Sequence, residues 1–221
     1  MAGRQGGFRG FGPDALTFYE GLAVDNSKAY WQAHRDVYER DVAGPLRALA
    51  DELEDEFGRA KTFRPYRDVR FSADKRPYKE NAALVVEERG ALYASLSLEG
   101  LFVAAGYYQP SRDQLERFRA LQDDEKVAAD LDRLLSRLAR RGYPLGEGDP
   151  VQTAPRGYRQ DHPRIEFLRR RSLTVSALHE PAEWLHTRAC LDVVRDGWRT
   201  CREWNTWLHD HVGQAIDAPR R

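Results

Sequence analysis

The sequence predicts an α+β fold, in which a mostly antiparallel sheet is flanked by N-terminal, middle and C-terminal helices. The sheet is expected as a meander at about 82–108, because apolar and polar residues alternate between positions 92 and 98. Two turn pairs, Arg89-Gly90 and Glu99-Gly100, lie about ten residues apart, as in a run of short antiparallel strands. Before and after this region, apolar residues recur at helical spacing, which indicates helices packed against the sheet.

The N-terminal part predicts two helices separated by a capping segment. Residues 13–22 have one apolar face, and Pro13 suits an early helical position. Asp25-Asn26-Ser27 supplies N-cap side chains for the next helix, whose apolar spacing continues from Trp31 to Phe57. Gly44-Pro45 is expected to kink or break that helix midway.

The rest of the chain alternates between the two periods. Strands are expected at 84–87, 92–98, 101–108 and 173–178, and helices at 111–121, at 127–138 and from Pro181 to about residue 208. The tryptophans of the last helix follow helical spacing, so we interpret them as core residues rather than a stacking platform.

Length and composition fit a soluble protein with one large core. With 221 residues and 41% hydrophobic content, we expect a single α+β domain at 13–212 between flexible tails at 1–12 and 213–221. Cys190 and Cys201 are the only cysteines. On one helix they would be about 16 Å apart, too far for a disulfide. With no apolar signal region and no bilayer-spanning stretch, the expectation is a cytoplasmic protein with no membrane partner.

Positive charge is concentrated in two basic islands, although the net charge of the chain is zero. Residues 64–79 contain six Arg or Lys and two Asp, and residues 154–171 contain six Arg with one Asp and one Glu. Each island therefore carries +4, and the remainder of the chain must carry −8. A dense mixture of Arg, Lys, Asp and Tyr is typical of a polar site that holds an anion.

The first island also carries a family signature. It contains Arg64-Pro-Tyr-Arg67-Asp68-Val-Arg70-Phe71, followed by Asp74-Lys75 and Tyr78. This stretch resembles the signature RxxRDxRFxxxDKxxY of a bacterial family named domain of unknown function 2461. Here only Ser72 and Ala73 separate Phe71 from Asp74. The family has no established activity to transfer, so the resemblance implies kinship and fold, not a reaction.

The likeness extends over most of the chain, from about Phe11 to Leu208. Residues 18–31 are similar to the helix–Asn–helix opening of the family, with Asp25-Asn26 where many members have paired asparagines. Residues 155–163 are similar to its PRGF and DHP segment. Residues 169–173 are similar to its RRKSF stretch, with an arginine in place of the lysine.

We predict that the two islands line one basic cleft for a small phosphorylated or carboxylated ligand. The candidate ligand-binding residues are Arg67, Asp68, Arg70, Lys75, Tyr78, Lys79, Arg156 and Asp161. Asp68 and Asp74 would orient the basic side chains. Asp74 and His162 are the candidate acid or base, should the protein be a hydrolase or a transferase.

Two other interpretations stay open. The Arg, Lys and Asp side chains could pair with one another in a salt-bridge network that stabilises the fold. The islands could also follow a phosphate backbone, but the mixed carboxylates and zero net charge do not favour nucleic acid as the partner. Because the sequence has no nucleophile elbow, P-loop, GxGxxG or metal-spaced Cys/His set, it predicts no metal and no cofactor. It decides neither whether the protein is an enzyme nor its oligomeric state.

Overall fold

Five strands form an antiparallel sheet whose order follows the chain, β1-β2-β3-β4-β5. The computed structural model describes residues 7–68, 70, 74–87 and 89–216. The strands are β1 (Lys61–Thr62), β2 (Asn81–Glu87), β3 (Ala91–Ser97), β4 (Gly100–Tyr107) and β5 (Leu173–His179). The helices are α1 (Ala15–Val24), α2 (Lys28–Val37), α3 (Gly44–Phe57), α4 (Arg112–Ala120), α5 (Glu125–Arg140), α6 (Ile165–Leu168) and α7 (Ala189–His211). The predicted α+β class, with helices on both sides of the meander in sequence, is confirmed.

The predicted meander corresponds to β2, β3 and β4, each within a few residues of its expected bounds. In β3, Leu92, Ala94 and Leu96 are buried, whereas Tyr93 and Ser97 are partly exposed. Successive side chains of a strand point to opposite faces, so this alternation gives β3 one apolar face. The same period of two made the strand recognisable in the sequence.

A π-helical segment, Tyr38–Ala43, joins α2 to α3. Pro45, in the first turn of α3, has no N–H to donate to the carbonyl oxygen of Asp41 four residues earlier. That oxygen accepts a hydrogen bond from the N–H of Gly12 instead, at 2.9 Å. The helix therefore passes through Gly44-Pro45 without a break, by way of a wider π-helical turn, and the predicted kink stays a prediction.

The last helix begins later than predicted. The sequence predicts that Pro181 opens it, but Glu183–His186 forms a 3-10 turn and α7 begins only at Ala189. The hydroxyl of Thr187 donates to the carbonyl of Trp184 at 3.0 Å and accepts the N–H of Ala189 at 3.2 Å. Thr187 thus closes the turn and caps the helix, so the prediction for Pro181 is wrong.

Two elements were not predicted, β1 with two residues and α6 with four. Neither is long enough to show a hydrophobic period, since a helical or strand pattern needs more residues than these contain. The two-residue β1 nevertheless matters for the candidate site, because it leads into the first basic island. Its residues Lys61 and Thr62 pair with Val85 and Leu84 of β2.

The described residues group into two compact units. The first is drawn from Met1–Val86, Tyr93–Val103 and Leu178–Asp196, and the second from Glu87–Leu92, Ala104–Ala177 and Gly197–Arg221. The domain bounds of 13–212 stay a prediction.

The structure describes the last six residues of the predicted N-terminal tail, 7–12, and the first four of the predicted C-terminal tail, 213–216. Phe8 and Phe11, within the predicted tail 1–12, are 1% and 2% exposed and pack edge to face at 5.8 Å. In the second unit, the carbonyl of Gly213 accepts hydrogen bonds from Tyr107 and Gln114 at 3.2 and 2.9 Å. Packing therefore extends into both predicted tails. Residues 1–6 and 217–221 lie outside the described residues.

The last helix confirms two further predictions. Trp198 and Trp204 are fully buried and Trp207 is 8% exposed, as expected of core residues. Trp184, which the sequence assigns to the same helix, lies in the 3-10 turn before it and is only partly buried. Cys190 and Cys201 are buried and free, so they form no disulfide with each other. None of the helices in the described part of the chain combines the length and the apolar composition needed to cross a bilayer.

Candidate functional site

The described residues of the first basic island form two arms that run from β1 and into β2. We call the described residues of this segment, 61–68, 70 and 74–80, the basic hairpin. The N–H of Lys79 donates to the carbonyl of Pro65 at 2.7 Å, and the N–H of Arg67 donates to the carbonyl of Pro77 at 2.9 Å. These bonds hold the two arms antiparallel beyond the sheet. The signature residues Phe71, Ser72 and Ala73 lie outside the described residues.

Asn26 anchors the second arm of the basic hairpin to the turn between α1 and α2. Its Nδ2 donates to the carbonyl of Tyr78 at 3.1 Å, and its Oδ1 accepts the N–H of the same residue at 3.0 Å. Nδ2 also donates to Glu80 at 3.4 Å. Sequence reasoning noted Asn26 in the family resemblance but gave it only a capping role, because a contact across 52 residues leaves no local signal.

Tyr78, a predicted ligand-binding residue, is only 4% exposed. Its ring stacks on Trp31 with centroids 4.4 Å apart and an interplanar angle of 6°. Tyr66 on the opposite arm packs against both rings, at 5.4 and 5.8 Å. Burial raises the pKa of the Tyr78 hydroxyl, with a further contribution from Tyr66. The ring of Tyr78 therefore attaches the arm to the aromatic core of the first unit.

Asp68 is bound by its neighbour Arg70. Nε and Nη2 of Arg70 donate to the two carboxylate oxygens at 2.9 and 2.7 Å, and the N–H of Arg70 donates at 3.2 Å. These hydrogen bonds lower the pKa of Asp68 to about 2. The pair is largely exposed, so it orients Arg70 without burying it.

Asp74 is held more tightly, by two arginines. Nε and Nη2 of Arg76 donate to it at 3.0 and 2.8 Å, its N–H donates at 3.0 Å, and Nη1 of Arg67 contacts the same carboxylate. The hydrogen bonds from Arg76 and the charges of Arg67 and Arg76 hold the pKa of Asp74 well below its ordinary value. Arg76 also bonds Glu80 at 2.5 Å. Asp74 thus stays ionised and holds the two arginines in place, and its predicted role as an acid or base stays a prediction.

Three cations of the basic hairpin have a different environment. Among the described residues, no carboxylate forms an ion pair with the side chains of Lys61, Arg64 or Lys79. The ammonium groups of Lys79 and Lys61 lie 5.2 and 5.9 Å from the ring centroid of Phe63. Burial lowers the pKa of Lys79, and the charges of Arg64 and Arg67 lower it further. The predicted residue Lys75 is exposed on the same hairpin.

A small cleft lies beside these cations in the first unit. It has a volume of about 260 Å³ and is lined by Arg64, Pro65 and Phe63 of the basic hairpin and by residues of the π segment and α3. The latter include Glu39 and Arg47, which form an ion pair at 3.2 Å. Sequence reasoning missed both, because it interpreted the spacing of this segment only as a helix face.

In the second unit, the predicted residues of the second island are mostly paired locally. Arg159 donates from Nε and Nη2 to Asp161 at 2.8 and 2.7 Å, which lowers the pKa of Asp161. Both side chains are largely exposed. Arg156 is exposed and lies next to Gly157, whose φ is +94°.

His162 uses both ring nitrogens in hydrogen bonds. The N–H of Arg164 donates to Nδ1 at 3.1 Å, so Nε2 carries the proton and donates to Asp123 at 3.1 Å. The ring packs edge to face with Tyr158 at 5.9 Å. These contacts give His162 a role in fixing its turn, and its predicted catalytic role stays a prediction.

Other arginines of the second island also bind within the second unit. Arg164 makes a bidentate pair with Asp132 at 2.8 Å for both bonds and donates from Nε to Gln122 at 2.9 Å. Arg171 pairs with Asp149. The second island thus resembles the salt-bridge network that the sequence left open as an alternative.

A comparison with protein families identifies the kinship. A family model described as conserved hypothetical protein (DUF2461) matches residues 14–207. The chain belongs to this family. The predicted resemblance to DUF2461 is therefore confirmed, over nearly the range expected. Neither the curated proteins nor the solved structures contain a match to the chain.

The DUF2461 signature residues and the second island are described in different units. The first unit contains Arg67, Asp68, Arg70, Asp74, Lys75, Tyr78 and Lys79, and the second contains Arg156, Asp161 and His162. A cleft shared by the two sets stays a prediction. Within the described residues, no group of three or more His, Cys, Asp or Glu side chains is arranged to hold a metal ion.

Proposed function

We propose that the basic hairpin binds a small anionic ligand, a phosphate or a carboxylate, through Arg64 and Lys79. One observation carries the proposal. The carboxylates of the described hairpin are bound to Arg67, Arg70 and Arg76, whereas Arg64 and Lys79 form no ion pair there. An anion would give these two side chains a direct ion-pair partner, which Arg64 does not have although the charge of Asp68 acts on it at longer range.

The electrostatics of Lys79 support this proposal. Its pKa is lowered by burial and by the positive charges of Arg64 and Arg67, so its ammonium form is less favourable than that of an isolated lysine when no anion is nearby. A bound phosphate or carboxylate would reverse that effect. The planar fork of Arg64 suits two oxygens of such a ligand, and Lys79 adds a compact charge.

The paired residues support binding indirectly. Asp74 holds Arg67 and Arg76, and Asn26 with Trp31 fixes the arm that carries Lys79. Cations held in place lose less conformational entropy when a ligand binds, so a rigid arm favours affinity. The salt-bridge interpretation and the ligand interpretation therefore apply to different residues of one hairpin.

We propose binding without a reaction. A hydrolase or transferase would need an acid or base near the anion, and the depressed pKa of Asp74 makes it a weak base. His162 bonds through both ring nitrogens. The two candidate acid or base residues therefore give the enzyme hypothesis little support.

Inorganic phosphate tests the proposal. Phosphate at about 100 times its dissociation constant should stabilise the protein by about 2.7 kcal/mol. For a chain of this length that corresponds to about 5–11 °C in melting temperature. Lys79→Ala should weaken phosphate binding about tenfold or more in calorimetry, because a charge-assisted hydrogen bond contributes about 1.5–3 kcal/mol. Lys126→Ala removes an exposed lysine elsewhere and should leave the affinity unchanged.

Two results would refute the proposal. One is the absence of any phosphate-dependent shift in the unmodified protein. The other is equal phosphate affinity in Lys79→Ala and the unmodified protein. A single-stranded oligonucleotide that binds with a steep salt dependence, while phosphate does not bind, would favour the nucleic-acid alternative instead.

A further inference from the structure

The cleft beside Arg64 combines cations with a competing carboxylate. Arg64 of the basic hairpin and Arg47 of α3 both line it. Nη2 of Arg47 bonds Oε2 of Glu39 at 3.2 Å, with 57% and 48% of the two side chains exposed. Exposed pairs of this kind are weak, so a ligand that offers Arg47 better geometry can displace Glu39.

Tyr38 adds a neutral donor to this cleft. Its side chain lines the cavity, and it is 5% exposed. Burial and the charge of Glu39 raise its pKa to about 12, with Arg47 acting in the opposite direction. At neutral pH the hydroxyl therefore keeps its proton, so it can donate to an anion.

Most of the remaining lining of the cleft is apolar. Ala43 and Leu46 are 8% and 4% exposed, and Phe63, Pro65 and the polar residue Thr62 complete the lining. The volume of about 260 Å³ is just below the range of about 300–1,000 Å³ that is usual for ligand pockets. The site fits a compact ligand with one charged end and a short apolar body.

The π segment is the reason that these groups meet. Glu39 lies inside it, and the N–H of Gly44 bonds the carbonyl of Glu39 in the wider π pattern. Arg47 follows one turn later in α3, so its side chain reaches back to Glu39 across eight residues. Single π turns inserted in α-helices are frequent at functional sites.

We infer that this cleft binds the charged end of a small phosphate ester or carboxylate between Arg47 and Arg64, and that Glu39 is an internal competitor which the ligand displaces. The inference rests on the proposed function and adds a location, a ligand class and three further residues to it. Glu39 forms an ion pair with Arg47 when no ligand is bound. When the ligand binds, its oxygens accept the hydrogen bonds of Arg47 in place of the Glu39 carboxylate. Tyr38 donates to the same anionic group.

The test uses Glu39→Gln with inorganic phosphate and monobutyl phosphate as probes. Removing the competing carboxylate should raise the affinity of both probes by up to about fivefold, the range of exposed ion-pair strengths. Glu116→Gln is the matched control, because Glu116 forms an exposed pair with Arg112 at 2.9 Å outside the cleft. It should change the affinity by less than about 1.5-fold, the low end of the same range.

A second variant separates competition from a general charge effect. Arg47→Met keeps an unbranched apolar side chain but removes the guanidinium, and it should weaken both probes about fivefold or more, because a hydrogen bond to a charged group is lost. In the Arg47→Met background, Glu39→Gln should give no gain, because there is no longer a cation for the two anions to share. Circular dichroism melting of each variant reports whether it is folded.

The outcomes distinguish this inference from the proposed function. If the unmodified protein binds no phosphate, the proposed function fails. If phosphate binds and Lys79→Ala weakens binding, but Glu39→Gln and Arg47→Met have no effect, the function stands and the cleft assignment is overturned. Equal gains from Glu39→Gln and Glu116→Gln also overturn it. A tighter affinity for monobutyl phosphate than for inorganic phosphate supports the apolar wall, and equal affinities contradict it.

Discussion

Substitution of Asn26 by alanine is expected to loosen the basic hairpin and destabilise the whole protein. The amide of Asn26 bonds both the N–H and the carbonyl of Tyr78, at 3.0 and 3.1 Å, and Tyr78 is 4% exposed. The alanine variant leaves one buried donor and one buried acceptor without partners. Each such group costs about 1–3 kcal/mol, so the free energy of unfolding should fall by about 2–6 kcal/mol.

Urea denaturation of the unmodified protein, Asn26→Ala and Asn26→Asp measures this loss. The midpoint should fall with little change in the slope m, since the surface exposed on unfolding stays similar. In Asn26→Asp, one carboxylate oxygen still accepts the N–H of Tyr78. The other oxygen replaces the Nδ2 donor, so it faces the Tyr78 carbonyl and the Glu80 carboxylate and is repelled by both. Its destabilisation relative to the unmodified protein should therefore lessen below about pH 4, where the introduced carboxyl is protonated.

Gln109→Ala is the control, because Gln109 is an exposed amide outside the hairpin. It should change the free energy of unfolding by less than about 0.5 kcal/mol. If Asn26→Ala is equally mild, the amide does not anchor the hairpin and the reasoning is refuted.

Three other predictions concern pH, cysteine reactivity and His162. The pKa of Asp132 is lowered by Arg164, so its stabilising effect is present above the ordinary carboxyl pKa and is lost as the pH falls below about 4. Urea midpoints of Asp132→Asn should thus decline less steeply in acid, and an unchanged slope would contradict this. Burial raises the pKa of Cys190 and Cys201 to about 12, so a thiol reagent should label them only as fast as the protein unfolds, and a rapid native phase would argue against it. His162→Ala should lower the free energy of unfolding by about 1–3 kcal/mol through the loss of its two ring hydrogen bonds, and a neutral result would exclude its role in fixing the turn.

Much of the fold follows from local sequence patterns. The alternation around Leu92 and Leu96 marks β3 because those side chains line a buried face. The spacing of Leu131, Leu134 and Leu138 marks α5 for the same reason, with a period near 3.6. The start of α7 could not be predicted in this way, because Pro181 is a local signal that the cap at Thr187 overrides.

In the candidate site, too, local contacts could be predicted from the sequence and long-range contacts could not. The pairs Asp68–Arg70 and Asp74–Arg76 join residues two apart, so the mixture of charges in the sequence already indicated mutual pairing. The environment of Lys79 depends on which residues of the two arms of the basic hairpin lie opposite each other. That register could not be predicted from local patterns, because Asn26 contributes to it across 52 residues.

The central claim is that Lys79 is a cation without a counter-charge until an anion binds, and its titration tests this directly. The chain contains only five lysines, so selective ¹³C labelling of the lysine side chains gives a simple spectrum. Lys79→Arg assigns the signal. The pKa of Lys79 should lie below the usual lysine value of about 10.4 in the free protein and rise when inorganic phosphate is added. A pKa that starts at the usual value, or that does not move with saturating phosphate, would contradict the account.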